Sequence, residues 1–399
     1  MSSVISDPQL LANLRRSGEA DAARSRMKNK PKEEVTFLLQ GREIPILSAR
    51  ISRSIDTVAD GWSVEIEWIP GRDKELDKRI APYTYCDASI YIGTRLVNTG
   101  RLYTVHNVLG SSSLTKQLEC WSYTADLVDS MMPPSAAAEW LNSSLYSIAS
   151  GLCRPLGIGV GISQSVTGRA YTQLNEPFDI VQAELTQTYA DLFTKLAFQR
   201  GGLVTNDRYG MLLLTMGAKS GPIMATLGEG ELAAYRQSMR TGNAQSPNWE
   251  AVYDGRKRFA TYAVYGQSGD PEETEAGIQS EAIDDKVPPS RRTNIIVSDN
   301  TAGNVNVTAA WHRSEKLVQA LTIPFAVIGF YTPRGNLWDP NTFAMVKAPS
   351  LDICDPTKFL VRQIDYVYTA KSETGVLYLV PPEVYTGEPV KEPWSGRWK

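Results

Sequence analysis

The sequence predicts an α+β protein, mainly β, built as two small β units around a mixed module. Three observations predict it. Residues 35–68 and 86–123 run as short apolar/polar alternations broken by Gly, Asp-Gly and Ser turns, with Trp62, Val64, Ile66 and Trp68 on one side of a strand. Helical spacing appears in two central segments, 139–153 and 188–202. From about 248 the strand texture returns, and its plan echoes the first unit.

Residues 1–34 differ from the rest of the chain. Asp7 can cap and Pro8 can open a short helix carrying Leu10, Leu11 and Leu14, while Arg24, Arg26, Lys28, Lys30 and Lys32 occupy alternate positions. We expect an arm that is partly helical or disordered, or that orders against a partner or near DNA. Residues 35–130 form the first β unit, with a hairpin loop expected at Gly110–Ser113.

Residues 131–245 are expected to be the α+β module. Leu141, Leu145, Ile148 and Leu152 fall on one helical face, as do Leu192, Phe193 and Leu196 before a stop at Gly201. A hairpin turning at Asn206–Gly210 comes next. Residues 246–385 make the second β unit, interrupted by an acidic, Pro-tipped stretch, 267–293, read as an exposed insertion. Residues 386–399 are a Pro/Gly-rich tail.

The echo pairs 81–122 with 339–382. Each copy has a short strand, a turn, a "GRLYTV" or "KFLVRQI" strand, a Ser/Thr/Gly loop and a closing apolar strand. Two β units of one design would then flank the module.

Composition narrows the function. The chain of 399 residues carries 41 Lys+Arg against 44 Asp+Glu, net −3, without the basic excess of a protein that grips nucleic acid by its phosphates. No apolar run approaches the roughly 18 residues of a membrane-spanning helix, so no membrane insertion is expected. No apolar leader opens the chain, which reads as made in the cytoplasm. Cys86, Cys120, Cys153 and Cys354 lack CxxC spacing and read as buried thiols. With His106 and His312 the sole histidines, a His-rich metal site is excluded and a His-based triad disfavoured.

Three motifs invite chemistry. Asp126 and Asp129 in "TADLVD" are three residues apart, but glycosidase carboxylates face each other from different elements, about 5–10 Å apart. A short helix closing the first β unit before Pro133 and Pro134 fits better. Gly157, Gly159 and Gly161 come after a candidate helix instead of linking strand to helix, so no dinucleotide site, and no cofactor, is expected. Arg256, Lys257 and Arg258 beside Phe259, Tyr262 and Tyr265 form a possible basic contact patch, or a solvated strand edge. No catalytic or metal residues are assigned, and we expect no enzyme.

Taken in order, "VTFLLQGREIPILSARISRSIDTVADGWSVEI", "PYTYCDASIYIGTRLVNTGRLYTV", "CWSYTADLVD", "YADLFTKLAFQRGGLVTNDRYGMLLLT" and "RGNLWDPNTFAMVKAP" with "KFLVRQIDYVY" resemble the baseplate hub proteins of Mu-like contractile-tailed phages, across roughly 35–385. T-even phage hubs and type VI secretion spikes share the plan. The resemblance implies two tube-like β-barrel domains per chain and a homotrimer forming a pseudo-hexameric ring. That ring would join the hexameric tail tube, or its initiator proteins, to the trimeric central spike, in contact with baseplate wedge or LysM-type adaptor proteins. It would form part of the DNA-ejection conduit of a virion, passing double-stranded DNA without specific binding. Its lumen should then be neutral or acidic, with basic side chains at protein contacts.

Two alternatives stay open: a hub-associated peptidoglycan hydrolase, and the equivalent hub of a tailocin or secretion-type injection system. Under the hub reading the sites are interfaces. Trp62, Trp68, Trp311 and Trp338 are candidates for subunit and tube contacts, or for the domain cores. Trp394 and Trp398 on the tail are candidates for docking a partner.

Overall fold

The computed structural model describes residues 33–109, 114–132, 139–184, 186–228, 249–266, 278–290, 293–298, 305–386, 390 and 392. The arm up to residue 32, the loop 110–113, Pro133, Pro134, Trp394 and Trp398 lie outside the described residues.

The first unit opens with β1 (Val35–Leu39), an apolar run buried at every position, and β2 (Arg42–Ile44). Gln40 and Gly41, both at positive φ (48° and 73°), make the two-residue connection, the geometry whose twist matches a hairpin. Then come β3 (Ser48–Ser54) and β4 (Gly61–Glu67), where alternation turns Trp62, Val64 and Ile66 into the core. A short helix, α1 (Lys74–Arg79), starts where the Asp73 carboxylate accepts the Leu76 amide at 3.0 Å. Next is an antiparallel meander of β5 (Asp87–Ile92), β6 (Arg95–Leu109) and β7 (Leu114–Ser122), closed by α2 (Ala125–Asp129).

The module holds β8 (Glu139–Ser143), α3 (Leu145–Cys153), β9 (Val160–Ile162), α4 (Arg169–Leu174), β10 (Phe178–Gln182), α5 (Tyr189–Gln199), β11 (Leu203–Asn206) and β12 (Leu212–Thr215). Its core gathers Ile148, Phe178, Leu192, Phe193, Leu196 and Leu214. Thr188 and Asp191 cap α5 reciprocally, and Gly201 lies just beyond its end at φ 64°. One expectation is corrected here. Residues 139–143 pair as β8 with β10, and the helix starts only at Leu145, behind the Ser144 cap, so Leu141 is exposed.

β13 (Ile223–Gly228) falls within the range expected for the module, yet it pairs parallel with β20 (Thr342–Ala348) and so belongs with the second unit's strands. That unit goes on with β14 (Val252–Tyr253), β15 (Thr261–Gly266), β16 (Ile278–Ile283), β17 (Thr293–Ser298), α6 (Val305–Ala320), β18 (Leu321–Thr322), β19 (Pro324–Ile328), β20, β21 (Ile353–Thr369) and β22 (Ser372–Val380). A 3-10 turn, Pro382–Tyr385, comes after β22. The insertion expected over 267–293 contains β16, which pairs antiparallel with β15, so part of that polar stretch is sheet.

Twelve strands form one sheet. Its main path is β13-β20-β21-β3-β4-β7-β6-β5-β1-β2, with β22 on the other side of β21 and β19 beyond β22. The strands of the two units are thus one ladder joined at β3·β21. Two separately closed barrels were expected; among the described residues the pairing is an open path, because β3 continues into the second unit instead of returning to its own. One core runs beneath, holding Trp62, Leu118 and Ile90 together with Trp338, Phe359 and Ile364.

Candidate functional site: the seam between the two β units

The echo seen in sequence is a repeat in structure. The meanders β5-β6-β7 and β20-β21-β22 have strands of 6, 15 and 9 residues and of 7, 17 and 9 residues. Each long strand bulges at the same place: the register skips Tyr103 between Leu102 and Thr104, and Arg362 between Val361 and Gln363. Each bulge residue fastens the short helix that ends its meander. The Tyr103 hydroxyl donates to Asp126 Oδ1 of α2 at 2.6 Å. Arg362 Nε donates to Asp56 Oδ2 at 2.7 Å, and that oxygen also accepts the Tyr385 hydroxyl at 2.8 Å.

Beyond its bulge, β21 pairs with β3 from Gln363↔Ser54 to Thr369↔Ser48. On the outer face of this seam Asp365 is almost fully covered. It accepts Arg50 Nη2 at 2.7 Å, Ser52 Oγ at 2.8 Å and Gln363 Nε2 at 2.9 Å. The same face carries Ser63, Glu65, Gln117 and Glu119, opposite the inward Ile51, Val64, Leu118 and Tyr366. This band has more acids than bases.

Under the seam lies a polar joint where all three parts meet. Arg53 of β3 pairs with Asp339 of the second unit at 2.5 Å and faces Asp60 at 3.5 Å. The Asp60 amide donates to Asn206 Oδ1 of the module at 3.0 Å. Burial pushes the Asp60 carboxyl up to about 6, against the opposing pull of Arg53 and the Ser54 amide. Burial works against the charge of Arg53 as well, yet the carboxylates of Asp339 and Asp60 hold it above its ordinary value.

The structure gives a definite place to each described candidate. Trp62, Trp311 and Trp338 are covered by their own chain, at 3%, 5% and 2% exposure. Trp338 fills the shared core, and Trp311 packs between Phe198 and Tyr385. Trp68 is half-buried, donating to Asp77 Oδ1 at 2.6 Å, with the Lys116 ammonium 3.9 Å from its ring centre. The basic run is neutralised locally. Arg256 pairs with Asp254, Arg258 with Asp284 and Glu392 at 2.8 and 2.9 Å, and Lys257 is exposed. Asp126 and Asp129 do not face each other as a dyad: Asp126 is held by Arg101 and Tyr103, while Asp129 is exposed.

Sequence reasoning missed three exposed apolar side chains on the first unit. Val108 and Leu109 stand 50% and 84% exposed at the end of β6, and Trp121 on β7 is 42% exposed. Trp121 borders an open cleft of about 630 Å³ lined also by Val58, Tyr103, Val128 and Ala190. Their signal was in the sequence: the apolar alternation of β6 runs on past the residues needed to cover the core.

Comparison with known proteins agrees with this architecture. Residues 124–216, from the end of the first meander through the module, match the family model for the second domain of gp44-like baseplate hub proteins. The chain is 24% identical to the baseplate hub protein gp44 of Escherichia phage Mu over 336 residues, covering 80% of each chain. The 43 kDa tail protein of prophage MuSo2 from Shewanella oneidensis has the same fold, with a TM-score of 0.69 at 23% identity over 88% of this chain and 99% of that one. The tail protein from Neisseria meningitidis MC58 does too, with a TM-score of 0.71 at 16% identity over 88% and 98%. The chain is a relative of phage-tail baseplate hub proteins.

Proposed function

We propose that this relative of the Mu baseplate hub is the structural hub of a contractile tail, a trimeric adaptor between a six-fold tail tube and a three-fold central spike. The observation that carries the reading is the repeated meander with its bulges in register. Three chains present six such units, so one face can meet a six-fold tube while the whole keeps the three-fold symmetry of a spike. The seam makes the two units of a chain continuous, which suits a part that must transmit load without hinging.

The outer face of the seam is the best candidate for the conduit wall. Ser52, Ser63, Gln117 and Gln363 with Glu65 and Glu119 offer duplex DNA hydroxyls, amides and carboxylates, and the exposed Arg50 of this face is paired with the covered Asp365, which leaves little counterion release to hold a duplex. The described basic residues Arg53, Arg200, Arg258 and Arg362 are engaged with carboxylates inside the chain. In this reading the protein is a virion component of the tail baseplate, and it acts by shape, not by catalysis.

The test is mass and shape together. Light scattering of the purified chain should give a species near three times 44.0 kDa, seen as an annulus in negative stain. A solid trimer without a central hole, or a chain that stays monomeric when co-expressed with its tube and spike partners, overturns the reading. Zymography on peptidoglycan should show no clearing; a cleared band at the chain's mass would make it a hydrolase.

A further inference from the structure

The repeat extends beyond the meanders. As β4 pairs with β7, so β19 pairs with β22. As β3 pairs with β4, so residues 249–253 run antiparallel to 321–325, through the bridge Trp249↔Phe325 and the pair Val252↔Thr322. Aligned on the bulges, Ala49 corresponds to Trp249, Arg50 to Glu250, Ile51 to Ala251 and Ser52 to Val252. On the other strand, Asp365, Tyr366 and Val367 correspond to His106, Asn107 and Val108.

One ladder of the repeat is filled within the chain, and its counterpart is not filled among the described residues. The far edge of β3 takes β21. At Ala251 and at Val252 of β14 the far edge takes no strand among the described residues. Likewise β6 pairs with β5 only as far as Arg101, and from Thr104 to Leu109 that edge takes no strand among the described residues. Among the described residues each chain therefore has one edge of each kind that takes no strand, in the orientation its own seam uses.

We propose that residues 104–109 of one copy pair antiparallel with residues 249–253 of the next, in the register of the β3·β21 seam. This rests on the ring reading above and names its subunit interface. His106 then lies opposite Val252, Asn107 opposite Ala251 and Val108 opposite Glu250. Two features of the edges fit. Val108, Leu109 and Val252, exposed at 50%, 84% and 44%, are covered by the new ladder. The Arg50–Asp365 pair of the seam becomes Glu250 with His106, the acceptor and the nitrogen-bearing side chain in exchanged places. The contact is head-to-tail, so it closes into a ring when its rotation permits, here after three chains.

The experiment is cysteine pairing in the full-length chain. Asn107→Cys with Ala251→Cys should give, on a non-reducing gel, bonded dimers and trimers that neither single variant gives. Leu109→Cys with Ala251→Cys, two residues out of register, should give at least about tenfold less, because diagonal neighbours lie about 7–8 Å apart. Separately, Val108→Glu sets two carboxylates face to face and should weaken assembly about fivefold per ladder, with Glu250→Lys in the same chain restoring it. A trimer by light scattering whose Asn107/Ala251 pair bonds no better than the offset pair, or whose Val108→Glu loss is not restored, overturns this ladder and leaves the hub reading standing. A chain that forms no trimer at all, alone or with its partners, overturns both.

Discussion

Arg50 and Asp365 are 315 residues apart in sequence and pair at 2.7 Å across the seam. They are not equal partners: Asp365 is almost wholly covered, whereas the Arg50 side chain is 63% exposed. Replacing Asp365 by Ala leaves the Ser52 hydroxyl and the Gln363 amide without their acceptor and should cost about 2–3 kcal/mol. Replacing Arg50 by Ala, whose charge water already screens, should cost less than about 1 kcal/mol. Urea unfolding of both variants checks the asymmetry; equal losses would contradict it.

The short distance between strands at Gly100 gives a second expectation. A Cβ there would stand 1.8 Å from the carbonyl oxygen of Trp121, a backbone atom that cannot swing aside. Gly100→Ala must push β6 and β7 apart next to the bulge, so a loss of about 3 kcal/mol or more is expected. Circular dichroism during heating would register it as a large fall in Tm. A variant as stable as the parent would mean the strands can separate there freely.

Asp60 makes the joint sensitive to pH. Its carboxyl is raised in the folded chain to about 6, above the ordinary value of 3.8. Between those values the folded state binds a proton that the unfolded state does not. The group's contribution is therefore full below about pH 4 and is lost as pH rises through 6, amounting to about 2–3 kcal/mol at most. Asp60→Asn should remove this slope, so the stability difference between parent and variant changes from pH 4.5 to pH 7. A constant difference across that range would show that Asp60 does not titrate there.

The two aspartates of "TADLVD" should behave oppositely. Asp126→Ala removes the acceptor of both Arg101 and Tyr103 and should cost about 1–2 kcal/mol, loosening α2 from the bulge. Asp129→Ala, at an exposed position, should stay within about 0.5 kcal/mol. Chemical denaturation separates the two. Similar losses would put Asp129 in the same network.

The class and the repeat were legible because they rest on local signals: period-2 alternation in β4, β6 and β7, the helical spacing of Leu192, Phe193 and Leu196, and the stop at Gly201. The echo survived because each long strand keeps its bulge at the same register against a 9-residue closing strand. The seam was not legible. Nothing local in Arg50 or Asp365 marks a partner more than 300 residues away, and Trp62 and Trp338 look alike in sequence whether they fill a core or meet a neighbour. The strand at 278–283 was hidden by its composition, since Gln279, Ser280 and Glu281 read as polar loop until β15 pairs with Ser280 and Glu281. The open edge of β6 was missed for the opposite reason: its apolar residues were credited to the core they extend beyond.

The seam also sets a clock. At roughly 5–20 residues per second on the ribosome, the 315 residues between Arg50 and Asp365 take on the order of 15–60 s to emerge. For that interval the first unit can be folded while β3 waits, and a β21 from a finished neighbour is as good a match as its own. Crowded synthesis thus favours exchange of β21 between chains, whereas slow, dilute synthesis favours the closed chain. Yield of this protein should depend on how densely its messenger is translated.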